Sequence, residues 1–295
     1  MSSEEKEKSG KPEESQKPPK RKEKAKEEPQ KEKLEVFRKL NVDLWRTRFH
    51  GEKMGIRQKA QHRHDKGFQW SKDMEPLGEV KEKDEKIRLL GLREKLWDVE
   101  EDEPHDTKFE RRLIIKSFSK SSWVGTVEEL TATEIKNSTA TGKQLPAFTC
   151  IVSDTNYTIP LEQMRSIYGR SFSFTIETEK RIFEPMWIRE RRFTLGSDWD
   201  VYRAGPSNEK EKIANIDGKF LNVGGAWDIK IFNSDLAQNN AFLETLILFA
   251  STLRFQNEIR KKIEETIKAI ENGQYKLKVE SQEYDLMRNP RIRRV

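Results

Sequence analysis

Asn240-Ala-Phe-Leu-Glu-Thr-Leu-Ile-Leu-Phe-Ala-Ser-Thr-Leu-Arg-Phe255 is the longest apolar run in an otherwise polar chain. A surface helix carries apolar residues at i, i+3, i+4 and i+7, with charges on the opposite face. Here Phe242, Leu243, Leu246, Ile247, Leu248, Phe249, Ala250, Leu253 and Phe255 point in every direction around a helical wheel. A helix apolar all round is either buried all round or spans a membrane. Spanning needs about 20 apolar residues, and this run is shorter and interrupted by Glu244, Ser251, Thr252 and Arg254. The run therefore predicts a helix enclosed by protein. Short β-like segments precede it, and they suggest what does the enclosing.

The rest of the chain is too polar to be folded throughout. Of its 295 residues, 37% are charged and 34% hydrophobic, a balance that implies one or two domains plus disordered sequence. Residues 1–33 are almost entirely Lys, Glu, Ser, Pro and Gln without an aromatic residue, so they read as a disordered charged tail. Within it, Lys17-Pro-Pro-Lys-Arg-Lys-Glu-Lys24 fits either a nuclear localisation signal or a solvated mixed-charge stretch. Net charge is +6 with a pI near 9.1, which permits attraction to nucleic acid or anionic lipid without requiring it. The single cysteine, Cys150, excludes an intramolecular disulfide framework and any cysteine-based zinc site. With no apolar signal region and no spanning segment, the sequence predicts a cytoplasmic or nuclear protein.

Leu34, Phe37, Leu40, Leu44 and Trp45 fall at helical spacing and predict an amphipathic helix over 31–49. The segment 50–73 carries Arg57, Lys59, Arg63, Lys66, Phe68 and Trp70, basic residues interleaved with aromatics. It reads either as an arm that engages a partner, with Arg57, Arg63, Phe68 and Trp70 as contacts, or as a strap docked across its own domain. His62 and His64 lack nearby ligands at metal-binding spacing, so no metal site is expected. Ile87, Leu89, Leu90, Leu92, Leu96 and Trp97 predict a second helix over 83–97, followed by an acidic linker to Asp106. The sequence thus divides into a helical and extended region over 34–106, a barrel over 107–255 with its central helix at 240–255, an amphipathic helix over 256–273, and a basic tail over 274–295.

From Phe109 the periodicity becomes strand-like. Candidate strands are Leu113–Ile115, Trp123–Val127, Phe148–Val152, Phe172–Ile176, Met186–Ile188, Arg191–Leu195, Trp199–Tyr202, Lys212–Ile216, Lys219–Val223 and Trp227–Ile231. Turn-forming clusters at Asn137-Ser138, Thr141-Gly142-Lys143, Asp154-Thr155-Asn156 and Gly205-Pro206-Ser207-Asn208 separate them. Many short strands imply a sandwich or barrel, and an enclosed helix favours a closed antiparallel barrel. Fold class is therefore mainly β with flanking α. After the apolar run, Ile259, Ile263, Ile267 and Ile270 form the stripe of an amphipathic helix ending at Asn272-Gly273.

Three features of the last third carry a resemblance: Trp199-Asp-Val-Tyr-Arg followed by Lys212–Phe220, Asn222-Val-Gly-Gly-Ala-Trp-Asp-Ile-Lys-Ile231, and the terminal apolar helix from Asp235 to Phe255. Together they resemble the tubby C-terminal-like superfamily, which includes tubby, LURP-one-related and phospholipid scramblase proteins. The resemblance implies a twelve-stranded antiparallel barrel wrapped around a hydrophobic helix. It also implies phosphoinositide recognition through clustered Lys and Arg, for which Lys180, Arg181, Arg189, Arg191 and Arg192 are the nearest match. The cysteine-rich run and calcium loop of scramblases are not in this sequence.

No catalytic set emerges, and the sequence predicts no cofactor. Cys150 lies in an apolar strand, and the four histidines lack a nucleophile partner. Gly224-Gly225 reads as a hairpin turn rather than a dinucleotide fingerprint. The expected function is that of a non-enzymatic binding or scaffold protein with a protein partner. Alternatives are anionic phospholipid binding through the basic face, and nucleic-acid binding through 57–70 and the two tails.

Overall fold

The structure is a computed structural model that describes residues 34–45, 70, 73–98, 107–119, 122–166, 169–178, 182–192, 197–204, 210–219, 225–279 and 281–288. Among these, twelve antiparallel strands close into a barrel. They are β1 (Arg38–Leu44), β2 (Met74–Glu82), β3 (Glu85–Arg93), β4 (Ile114–Phe118), β5 (Trp123–Glu129) and β6 (Ala147–Val152), then β7 (Thr158–Met164), β8 (Ser171–Glu177), β9 (Phe183–Glu190), β10 (Trp199–Ala204), β11 (Lys210–Gly218) and β12 (Ala226–Ile231). Each strand pairs with its sequence neighbour, and β1 pairs with β12 from Arg38 opposite Ile231 to Asp43 opposite Ala226. That last ladder removes the two edges an open sheet would expose.

Seven helices accompany the described strands: α1 (Glu94–Trp97), α2 (Thr107–Glu110), α3 (Thr131–Thr141), α4 (Ser234–Gln238), α5 (Asn240–Thr252), α6 (Gln256–Glu271) and α7 (Ser281–Arg288). Every residue of α5 from Ala241 to Thr252 is buried. The helix packs against β1, β4, β5, β6, β8 and β12. Phe249 meets Phe172 of β8 edge-on at 5.1 Å and Trp199 of β10 at 5.3 Å, while Phe242 stacks with Phe174 at 6.3 Å. Each such ring contributes about 1.5–3 kcal/mol through burial.

The polar residues of α5 are accommodated without leaving the helix. Thr245, Ser251 and Thr252 donate their hydroxyls back to the carbonyls of Ala241, Leu248 and Phe249 at 2.7–2.8 Å. Asn239 caps the first turn by accepting from the Phe242 amide at 2.9 Å. Glu244 accepts from Arg88 Nε of β3 at 3.1 Å.

Two expectations for the N-terminal region fail. The helix over 31–49 is instead strand β1, in which Leu40, Val42 and Leu44 alternate into the core while Phe37 and Trp45 are exposed. The helical spacing came from counting exposed residues as part of a buried face. The helix over 83–97 is instead the β2–β3 hairpin followed by the single turn α1. The barrel therefore starts at Arg38, not near Phe109, and three of its strands precede the expected domain boundary.

Other differences are smaller. Asn137-Ser138 lies within α3, whose end is capped by left-handed Gly142 donating to Ser138 O at 2.8 Å. Strand β7, which contains Pro160, was not anticipated. Arg191 and Arg192 follow β9 outside any strand, and 193–196 lie outside the described residues. The expected amphipathic helix is present as α6, with Ile259 and Ile263 buried. The expected basic tail contains α7, whose Glu283 accepts the Ala132 and Thr133 amides at 2.8 and 3.2 Å and so caps α3 from a distance. Residues 1–33, 46–69, 99–106 and 289–295 lie outside the described residues, together with the readings made on them.

Candidate functional site

Three of the most deeply buried ionisable groups form one cluster. Glu129 and Glu134 sit with Lys262 in a fully buried cluster, where Lys262 Nζ bonds Glu129 Oε1 and lies 3.8 Å from Glu134 Oε2. Glu129 Oε2 accepts the Leu113 amide at 2.8 Å, and Glu134 Oε1 accepts the Ala147 amide at 3.0 Å. Burial, and then the neighbouring Glu129 carboxylate, push the Glu134 carboxyl well above its ordinary value. Cys150 is buried, and burial followed by the nearby Glu244 charge pushes its thiol up, away from the reactive thiolate.

Chemistry open to solvent lies on the outer face of β9 to β12 and β1. Alternation turns Ile188, Val201, Ala214, Ile216, Ile229 and Ile231 inward and leaves charged residues outside. Arg191 sits between two carboxylates, with Nε at 2.8 Å from Asp200 Oδ1 and Nη2 at 2.6 Å from Asp217 Oδ1. Lys212 reaches Asp200 at 2.7 Å, and Lys230 reaches Asp217 at 2.8 Å. Asp228 accepts from Asn41 at 2.8 Å, with Lys219 at 3.2 Å and Lys39 at 3.5 Å. Burial opposes the Asp228 charge, but the bonds from Asn41 and Lys219 outweigh it and hold the carboxyl below its ordinary value. Arg191 behaves in the opposite sense: burial works against its charge, and Asp200 and Asp217 hold it above its ordinary value. The face is a cross-strand ionic lattice, preorganised because the strands fix its spacing.

Of the basic residues picked out in the sequence, the structure brings Arg189, Arg191 and Arg192 together at the end of β9. Arg189 is exposed and makes no ion pair among the described residues, whereas Arg191 is held by its two carboxylates. Lys180 and Arg181 lie outside the described residues, as do Arg57, Arg63 and Phe68. Trp70, expected as a partner contact, is buried against Met74, Leu89, Phe118 and Trp123 on the outside of β3 and β4. Its ring lies 5.1 Å from that of Phe118. Gly91 makes this possible, since a Cβ there would come within 2.9 Å of the Trp70 ring and 2.6 Å of Met74 Cε. At Trp70, then, the docked alternative for this segment is the one realised.

The lattice residues Lys39, Asp200, Lys212, Asp217, Lys219, Asp228 and Lys230 were not anticipated as site residues. Their signal was present: Asp217 follows Asn215, and Lys230 follows Asp228, at the two-residue spacing of an outward strand face. Among the described residues no cluster of His, Cys, Asp and Glu is arranged to hold a metal ion, and no helix is long and apolar enough to cross a membrane. Comparison with protein-family models, curated proteins and solved structures returned no match.

Proposed function

We propose that this chain is a non-enzymatic binding protein, a filled barrel that engages a protein partner through its outer strands. The observation that carries the reading is the packing of α5. Barrel diameter grows with strand number; eight strands are filled by their own side chains, and a wider barrel needs something more. In our reading α5 runs along the inside of the twelve-stranded barrel as that filling. Its burial along its whole length, and its packing against β1, β4, β5, β6, β8 and β12, support this. A barrel filled in this way has no lumen for a small ligand, so binding falls to the outside. The tubby-like resemblance is consistent with the same architecture, and we read residues 1–33 as a solvated tail.

A second reading has an observation of its own. On the outer face of β9 to β12 and β1 the cations Lys39, Arg189, Arg191, Lys212, Lys219 and Lys230 outnumber the carboxylates Asp43, Asp200, Asp217 and Asp228. That excess suits an anionic lipid surface, the ligand class implied by the resemblance.

One panel separates these readings: recovery of a protein partner by the full chain, beside binding to anionic liposomes and to oligonucleotides at two salt concentrations. The protein-partner reading expects a partner that is recovered by the parent chain and lost when Arg189→Glu and Lys230→Glu are combined. It expects no liposome or oligonucleotide binding. Liposome binding that weakens steeply with salt favours the lipid reading, and oligonucleotide binding with that dependence favours recognition of nucleic acid.

A further inference from the structure

The lead-in to β1 with its first residues, the β2–β3 turn, Lys219 and Asp228 line a groove of about 500 Å³. One wall is apolar, with Val36 and Phe37 each about half exposed. The remainder is rich in lysine: Lys39, Lys81, Lys83 and Lys219.

The balance of hydrogen-bonding capacity identifies what the groove lacks. Three carboxylates line it, Glu82, Asp84 and Asp228, against Arg38 and four lysines, and two of the three are already engaged. Glu82 accepts the Arg38 fork at 2.9 and 2.8 Å, and Asp228 accepts from Asn41 and Lys219. Lys81 spends one contact on Glu79, at 2.7 Å, and Lys39 reaches Asp228 only at 3.5 Å. An ammonium has three donors and no acceptor, so these lysines keep donors to spare. Lys83 makes no ion pair among the described residues. It stands at the tip of the β2–β3 hairpin, where the two-residue turn sets φ at 48° for Lys83 and 67° for Asp84 and so presents the Lys83 side chain at the edge of the groove.

We propose that this groove docks an acidic peptide segment of a protein partner, one that carries an apolar side chain. The ligand's carboxylates take the spare donors of Lys39, Lys81, Lys83 and Lys219, and its apolar group packs on Val36 and Phe37. A phosphate is better matched by a free guanidinium fork, and the fork of Arg38 is taken by Glu82. The proposal rests on the reading of the chain as a protein-binding module and names one of its surfaces.

Anisotropy titration of the full chain with a labelled peptide alternating Glu and Phe tests it, beside peptides with Gln for Glu and Ala for Phe. The Glu/Phe peptide is expected to bind best and to weaken with salt. The paired change Lys83→Glu and Lys219→Glu is expected to weaken it at least about tenfold, equivalent to about 1.4 kcal/mol. Phe37→Ala and the milder Lys83→Gln should each weaken it measurably at an unchanged melting temperature. Equal binding of the Gln peptide, or unchanged binding by the variants, overturns the proposal. Displacement of the peptide by inorganic phosphate or phosphatidylserine vesicles also overturns it, because the site is then a general anion site. If the peptide fails to bind while a partner is still recovered in the panel above, the groove assignment falls and the binding-module reading stands. If neither is seen, both fall.

Discussion

At the residue scale the most informative side chains are polar ones held deep in the protein. Lys262 stands between Glu129 and Glu134, and removing it leaves the Glu129 carboxylate buried without its counter-charge. Breaking a buried pair in this way costs about 3–5 kcal/mol, so Lys262→Met should lower the urea midpoint by that equivalent or yield insoluble protein. Glu134 gives a prediction with a definite pH dependence. Its carboxyl holds a proton more readily when folded than when unfolded, because of burial and the neighbouring Glu129. As pH rises past the ordinary value of 4.5, the unfolded chain ionises first. Folded stability then falls steadily until the pH passes the raised folded value. Glu134→Gln removes the titration. Urea melts from acidic to alkaline pH should therefore show the variant gaining on the parent as pH rises. A constant difference would mean that folding leaves the proton affinity of Glu134 unchanged.

Elements explain where the sequence could be read and where it misled. Strands β8 and β12 were legible because apolar inward and polar outward residues alternate along them. β1 was not, because exposed Phe37 and Trp45 stand beside it and imitate the spacing of a helix. The β2–β3 hairpin was hidden for a different reason: its turn holds Lys83-Asp84 where an Asn-Gly pair would have announced it. Asp84→Gly should therefore raise stability by about 1 kcal/mol, read from the denaturation midpoint, by relieving left-handed backbone at a non-glycine residue. Gly91 seemed out of place in a helix and is explained by Met74 and Trp70 lying over it. Gly91→Val should cost about 1–3 kcal/mol by overpacking and shift Trp70 fluorescence, whereas an unchanged spectrum would argue against this contact. For β1 as the closing strand, Val42 pairs with Trp227 on one side and Val80 on the other. Val42→Pro removes a ladder donor from a strand paired on both sides and should destabilise by about 3 kcal/mol or more.

For the whole molecule, one apolar run in the sequence pointed to the architecture, and the closed circuit of strands agrees with a barrel expected from it. The candidate surface was less legible. Ion pairs such as Arg191 with Asp217 join residues 26 positions apart, and sequence spacing cannot reveal a lattice that exists only once the strands are in register. The groove was hidden for the same reason, since its walls come from β1, the β2–β3 turn and β12. Whether α5 fills the barrel is tested most directly by native-state hydrogen exchange. Amides of an enclosed helix are released only by opening the barrel, so 243–252 should exchange at the free energy of global unfolding and track it through added denaturant. Exchange of α5 through local openings well below the strand values, with little dependence on denaturant, would contradict an enclosed helix.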